Sequence, residues 1–293
     1  MPDPIRNMGA SIRARLLNLS RESNQPFQML LTRYALERLL YRLSTTAHRE
    51  RFVLKGAMLM TTWFVNPFRP TQDVDFLGFG DPDPDAMLGV FREICAVQID
   101  DGVAFDTNAL AIDRVRDELE YGGLRIKTNA TIAGAQIRIV VDIGFGDAIE
   151  PGLVELDMPV LLDQPAPRLR SYPRETVIAE KFQAMVMLGR ANSRMKDFYD
   201  IWSLSKAYKF EGDGLPRAIE ATFKRRNTAI PTERPDAMTE AFANDPAKQR
   251  QWEAFLRGIE AEPIGLAQII EELAQFLMPQ ALAASFKAKT GLA

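Results

Sequence analysis

Apolar positions in the first fifty residues fall at helical spacing. In residues 26–44 (PFQMLLTRYALERLLYRLS), Leu30, Tyr34, Leu36, Leu39, Leu40 and Leu43 recur three and four apart, an apolar stripe along a long helix. Pro26 stands near its start, where a missing N–H leaves no bond unmade. Residues 52–64 (FVLKGAMLMTTWF) read as an extended entry into a second, buried helix, and two prolines break the pattern in 66–72. The period then becomes two: DVDFLGF (73–79) alternates, a helix follows in PDPDAMLGVFREICAV (82–97), and strand-like runs span Leu110 to Leu119 and Leu124 to Ile132. Tyr121-Gly122-Gly123 reads as the hairpin turn between those runs. In QIRIVVDIGFG (136–146), Ile137, Ile139, Val141, Ile143 and Phe145 share one strand face, while Gln136, Arg138, Val140 and Asp142 share the other. Two helices followed by strands with a helix between them predict an α+β, mixed α/β core rather than a doubly wound sheet.

The proline-rich segment MPVLLDQPAPRLRSYP (158–173) reads as a connector, dividing the chain into 1–165 and a helical region, 166–293. The second part carries helical patterns in ETVIAEKFQAMVMLGR, KDFYDIWSLSKAYKF and IGLAQIIEELAQFLMP, the last expected to end at Pro279. Residues 228–249 read as a long exposed loop, and no internal repeat is present.

Composition narrows the chemistry. The 293 residues include one histidine, His48, and one cysteine, Cys95, too few ligands for a Cys/His zinc site and no pair for a disulfide. That cysteine count fits a reducing cytoplasm, and cytoplasmic localisation is the expectation. A histidine-based nucleophilic mechanism would rest wholly on His48, which lies where a helix ends among charged residues. No apolar run approaches the roughly 20 residues of a membrane span, and the N-terminus lacks a signal-peptide core. The net charge of −3 gives no global case for nucleic acid, although local basic clusters remain, Arg13, Arg15 and Arg21 at one end and Lys224, Arg225 and Arg226 at the other. Chemistry must therefore run on carboxylates, lysines and a metal.

RPTQDVDF (69–76) offers such carboxylates. On a strand Asp73 and Asp75 project from one face, and two adjacent like charges need neutralising. A divalent cation with hard oxygen ligands, Mg²⁺ or Mn²⁺, does this; a solvated strand edge or a turn aspartate is the plainer alternative. Asp142 lies among Val140, Val141 and Ile143, where it is costly unless paired or metal-bound. Three such aspartates can clamp two metal ions roughly 3.5–4 Å apart; an ion pair from Asp142 to Arg138 is the structural alternative. Gly56, at a helix entrance, permits close backbone approach to phosphate, with Lys55 adding charge. Lys181 falls on the apolar stripe of its own helix. Asp197 and Asp200, three apart, share a helix face, where they also suit the helix macrodipole.

Taken in order, LLYRLS, FVLKGAML, RPTQDVDF, VVDIG, AEKFQAM and KDFYDIWSL resemble the AbiEii/AbiGii-type nucleotidyltransferase toxin family over roughly residues 34–205. The resemblance implies a DNA-polymerase-β-like nucleotidyltransferase core with a mixed sheet, flanked by N-terminal helices and a helical C-terminal region. It implies a type IV toxin–antitoxin or abortive-infection role with a cognate antitoxin, and Mg²⁺-dependent transfer from an NTP to the 3′ end of tRNA. By position, Asp73 and Asp75 match the metal-binding D-x-D, Asp142 the strand acid completing the metal set, Lys181 the lysine that meets the triphosphate, and Asp197 the first acid of D-x-x-D, whose second is Asp200. Lys55 and Gly56 match the K-G signature, and Arg69 and Thr71 the approach to the D-x-D. Ala57 stands where the family has a second Gly or Ser, and the interval from Gly56 to Asp73 is long. A nucleotide-binding protein without turnover, and transfer to a protein or small-molecule acceptor, are the alternatives.

Overall fold

In the computed structural model, which describes residues 7–64, 71–115 and 122–290, the stripe of 26–44 becomes a helix against a sheet. The chain forms two compact units, 1–146 with 154–171, and 147–153 with 172–293.

The first unit opens with α1 (Met8–Ser23) and α2 (Phe27–Ser44). α1 is capped by the Asn7 side chain, which accepts from the Ala10 N–H, and it ends at Asn24 in the left-handed region. β1 (Phe52–Lys55) runs into a 3₁₀ turn and the short α3 (Met60–Trp63); β2 (Val74–Gly78) and α4 (Pro84–Ala96) follow. Asp83 caps α4 through Ala86, with Pro84 in the first turn. Then come β3 (Ala104–Phe105), β4 (Ala111–Val115), β5 (Gly123–Ile132), β6 (Ala135–Phe145), β7 (Val154–Asp157) and β8 (Arg168–Ser171). They make one mixed sheet in the order β3-β5-β6-β2-β1-β8-β7, with β4 also on β5. β2/β6 and β1/β8 are parallel and the other pairs antiparallel.

Alternation decides which face is buried. Ile137, Ile139, Val141 and Ile143 of β6, Leu124 and Ile126 of β5, Val74 and Phe76 of β2, and Phe52 and Leu54 of β1 are all buried. α2 contacts β6, and α1 contacts β5. Phe52 packs on Phe76 at 5.4 Å and edge-on to Phe91 of α4 at 5.5 Å, a core in which each large side chain contributes about 1.5–3 kcal/mol. Arg42 of α2 is also buried, its guanidinium bidentate to the buried Asp101 (2.7 and 3.1 Å).

The second unit is helical among its described residues: α5 (Arg174–Leu188), α6 (Met195–Ala207), α7 (Gly214–Arg225), α8 (Glu240–Ala243), α9 (Pro246–Gly258) and α10 (Leu266–Thr290). Its core stacks Phe198 on Phe242 (5.6 Å) and packs Phe182 against Phe223 (5.5 Å).

Three local expectations are corrected. Residues 228–249 are no exposed loop: they carry α8 and the start of α9, and bury Ala237, Met238, Phe242 and Ala243. The final helix runs through Pro279 to Thr290, because Ala281 and Ala284 extend its buried stripe and tertiary packing outweighs the bond lost at proline. The proline-rich segment contributes β8, parallel to β1. No helix among the described residues is long and apolar enough to cross a membrane.

Candidate active site

Five charged residues form one row across the solvent-side face of the sheet. Lys55 stands opposite Asp75, Asp75 is in register with Asp142, Asp142 with Arg125, and Arg125 with Asp113. Registered partners share a face, with strands about 4.8 Å apart. Asp75 and Asp142 on neighbouring strands repel unless cations intervene. Arg125 supplies one: its Nε donates to Asp142 Oδ1 and its Nη2 to Oδ2, both at 2.7 Å. Hydrogen bonding to Asp142, and then that carboxylate's charge, raise the Arg125 pKa above its ordinary value; partial burial opposes this, and the charges of Asp73 and Asp75 add to it. At the end of the row Lys127 bonds Asp113 at 2.5 Å, and this bond draws the Asp113 carboxyl below its usual range.

Asp73 occupies a bend immediately before β2. Thr71 fixes it, donating from Oγ1 to the Asp73 carbonyl oxygen (2.9 Å) with Asp73 Oδ1 at 3.3 Å. Gly56 has φ +74°, and the space its Cβ would take is filled by the Asp75 carboxylate, with Asp75 Cγ 2.6 Å from that position. Gly56 therefore seats Asp75, a role more specific than the backbone approach to phosphate expected of it. Arg69 lies outside the described residues.

The partner of Asp142 is Arg125 rather than Arg138, which is exposed on the same strand. Sequence reading missed Arg125, although a signal exists: counting outward from the two-residue turn Ala133-Gly134 pairs Ile132 with Ala135 and Arg125 with Asp142. Both turn residues have positive φ, the geometry that sets hairpin register. Among the described residues, no three His, Cys, Asp or Glu side chains are arranged to hold a metal ion. Asp73 and Asp75 remain hard oxygen donors on one short segment, held by Thr71 and Gly56, and their chemistry fits Mg²⁺ or Mn²⁺.

In the second unit, Lys181, Asp197 and Asp200 come together. The Lys181 Nζ lies 2.6 Å from Asp197 Oδ1 and 2.9 Å from Asp200 Oδ2, and both carboxylates are almost fully buried. Burial alone would lower the Lys181 pKa, but the charges of Asp197 and Asp200 and their hydrogen bonds outweigh it and raise it. Arg194 Nε approaches Asp197 Oδ2 at 2.7 Å without an aligned hydrogen bond. The apolar-stripe position of Lys181 thus holds a buried ion-pair cluster.

The basic clusters divide. Arg15 pairs with Asp163 (2.5 Å), and Arg13 lies over the Phe27 ring. Arg226 turns inward to Glu180 (2.9 Å), Asp147 (3.3 Å) and Gln183 (3.1 Å). His48 pairs with Glu93 at 2.7 Å, and Cys95 is buried and free.

No curated protein matches the chain. Two solved structures from Helicobacter pylori share its outline. JHP933 is 16% identical with a TM-score of 0.48, covering 90% of this chain and 94% of its own. The other, described provisionally as a nucleotidyltransferase, is 18% identical with a TM-score of 0.46, covering 91% and 98%. Residues 38–275 match the family described as nucleotidyl transferase AbiEii toxin, type IV toxin–antitoxin system. That match spans the aspartate row of the first unit and the Lys181 cluster of the second, and on it the chain belongs to the AbiEii family of nucleotidyl transferase toxins.

Proposed function

We propose that this AbiEii-family protein transfers a nucleotidyl group from an NTP to an RNA 3′ hydroxyl, the 3′ end of tRNA, with a divalent cation, Mg²⁺, held by Asp73 and Asp75. The observation that supports it best is the register that sets Asp75 beside Asp142 and Arg125, with Asp73 fixed by Thr71 at the head of the same strand. When bound, the cation supplies charge neutralisation at the α-phosphate and the departing pyrophosphate. The new bond joins the RNA 3′ oxygen to the α-phosphorus, the α–β phosphoanhydride bond breaks, and the hydroxyl proton passes to solvent. Asp142, held by both oxygens, orients the attacking hydroxyl. Lys55, in register with Asp75, and Thr71 stand on the nucleotide's side of the site, with Arg69 in the same role. Lys181, with Asp197 and Asp200, enters as the family's phosphate-directed lysine; the raised pKa keeps its positive charge. Such catalysis needs positioning and electrostatics more than a covalent nucleophile, which suits a chain with one His and one buried Cys. In this reading the protein works in the cytoplasm, where NTPs and tRNA are found, and a cognate antitoxin restrains it.

The test is incubation with tRNA and each α-³²P-labelled NTP in turn, with and without Mg²⁺. Covalent, Mg²⁺-dependent labelling of RNA by at least one NTP is the expected result. NTP binding without labelling of any RNA would leave a nucleotide-binding protein, and labelling of the protein itself would move the acceptor.

A further inference from the structure

Three aspartates near one another suggest a two-metal site, but the residues around Asp142 argue otherwise. A guanidinium fork occupies both of its carboxylate oxygens at 2.7 Å, the planar geometry in which Arg and carboxylate bind most specifically. Asp142 is in register with Asp75 on one side and Arg125 on the other, so the guanidinium lies against the place where a cation bridging these strands would sit. A second divalent ion there would face a fixed positive charge at close range. Asp73 and Asp75 have no such fork. Asp73 is fixed from the protein side by Thr71, and Gly56 seats the Asp75 carboxylate. Among the described residues no third carboxylate joins them in a metal-binding arrangement.

We propose that Arg125 takes the place of one metal ion: the chain holds a single divalent cation on Asp73 and Asp75, and the Arg125 guanidinium on Asp142 is the second positive charge of the site. Arg125 is then a positioning residue that fixes Asp142 and bars a second cation. The inference rests on the Asp73–Asp75 reading above and concerns how many cations that site takes. It also states what Asp142 does: it anchors an arginine, and the arginine in turn presents its outer N–H edge to the anionic substrate.

The experiment counts Mn²⁺ bound to the full chain by electron paramagnetic resonance, using the metal alone as probe. The wild type is expected to bind one Mn²⁺ per chain. Asp75→Asn should weaken that binding by about 10–100-fold or more, whereas Asp142→Asn should leave it unchanged. Arg125→Ala, which frees Asp142, should admit a second Mn²⁺, and Arg125→Lys, which keeps the charge, should restore the count to one. Circular dichroism on each variant confirms folding, and the near-isosteric Asp142→Asn gives an answer even if Arg125→Ala does not fold. Two Mn²⁺ on the wild type, or equal loss in Asp142→Asn and Asp75→Asn, would overturn the proposal while leaving the nucleotidyl-transfer reading in place. Absence of Mn²⁺ binding together with absence of RNA labelling would overturn both.

Discussion

Gly56→Ala separates seating of the catalytic carboxylate from general stability. A Cβ at Gly56 would overlap Asp75 Oδ2 and stand 2.6 Å from its Cγ and 2.8 Å from its Cβ. Alanine at φ +74° costs about 1–2 kcal/mol. Swinging the Asp75 side chain off its rotamer costs about 0.5–1.5 kcal/mol more. The fold should therefore survive with a loss of about 1.5–3.5 kcal/mol, read from the urea midpoint. Activity should fall far more, because a displacement of about 1 Å at a reacting centre can cost about 100-fold. The control is Gly134→Ala in the hairpin turn, where φ is +81° and nothing lies within 4 Å of the added methyl. It carries the backbone strain without the collision and should keep full transfer of label to RNA. Wild-type transfer in Gly56→Ala, or an equal loss in Gly134→Ala, would refute the seating argument.

Further outcomes follow from the buried charges and the thiol. Lys181→Met leaves two buried carboxylates with Arg194 as their remaining close cation, and should destabilise the protein by about 3–5 kcal/mol in urea; an unchanged midpoint would show the cluster is not a structural one. Burial pushes the Cys95 thiol up from 9.0 to about 12, so its contribution to stability is complete below pH 9 and is lost as pH rises toward 12, where the unfolded chain ionises first. Between pH 9 and 10.5 the wild type should lose about 1.5–2 kcal/mol more than Cys95→Ala, and parallel loss in urea titrations would contradict this.

Much of the architecture is written in periodicity. The alternation of 136–146 assigned the buried isoleucines and the opposite-facing Asp142 correctly, since a strand's two faces follow directly from the spacing. The stripe of 26–44 likewise marked a helix that begins beside Pro26. What escaped depends on contacts distant in sequence. Arg170 and its neighbours read as connector because a short strand flanked by prolines has too few residues to show a period, and its place is fixed by pairing with β1 and β7. Met238 and Phe242 read as loop because short helical turns bury single side chains rather than a stripe. At the site, the D-x-D was visible as a local pattern, whereas the cation on Asp142 was sought two residues away and stands on the neighbouring strand. Lys181 was marked by its apolar stripe, and its two carboxylates sit on the next helix.

The central claim is that the Asp73–Asp75 strand carries out nucleotidyl transfer to RNA. Its most direct test is the rate at which α-³²P from NTP becomes covalently bound to tRNA with Mg²⁺, for the wild type beside Asp75→Asn and Asp75→Ala. The account predicts labelled tRNA with the wild type and loss of at least about 1,000-fold in both folded variants, the scale on which transition-state charge stabilisation acts. Equal labelling by wild type and folded variants, or no labelling of RNA by the wild type with any NTP, would contradict it.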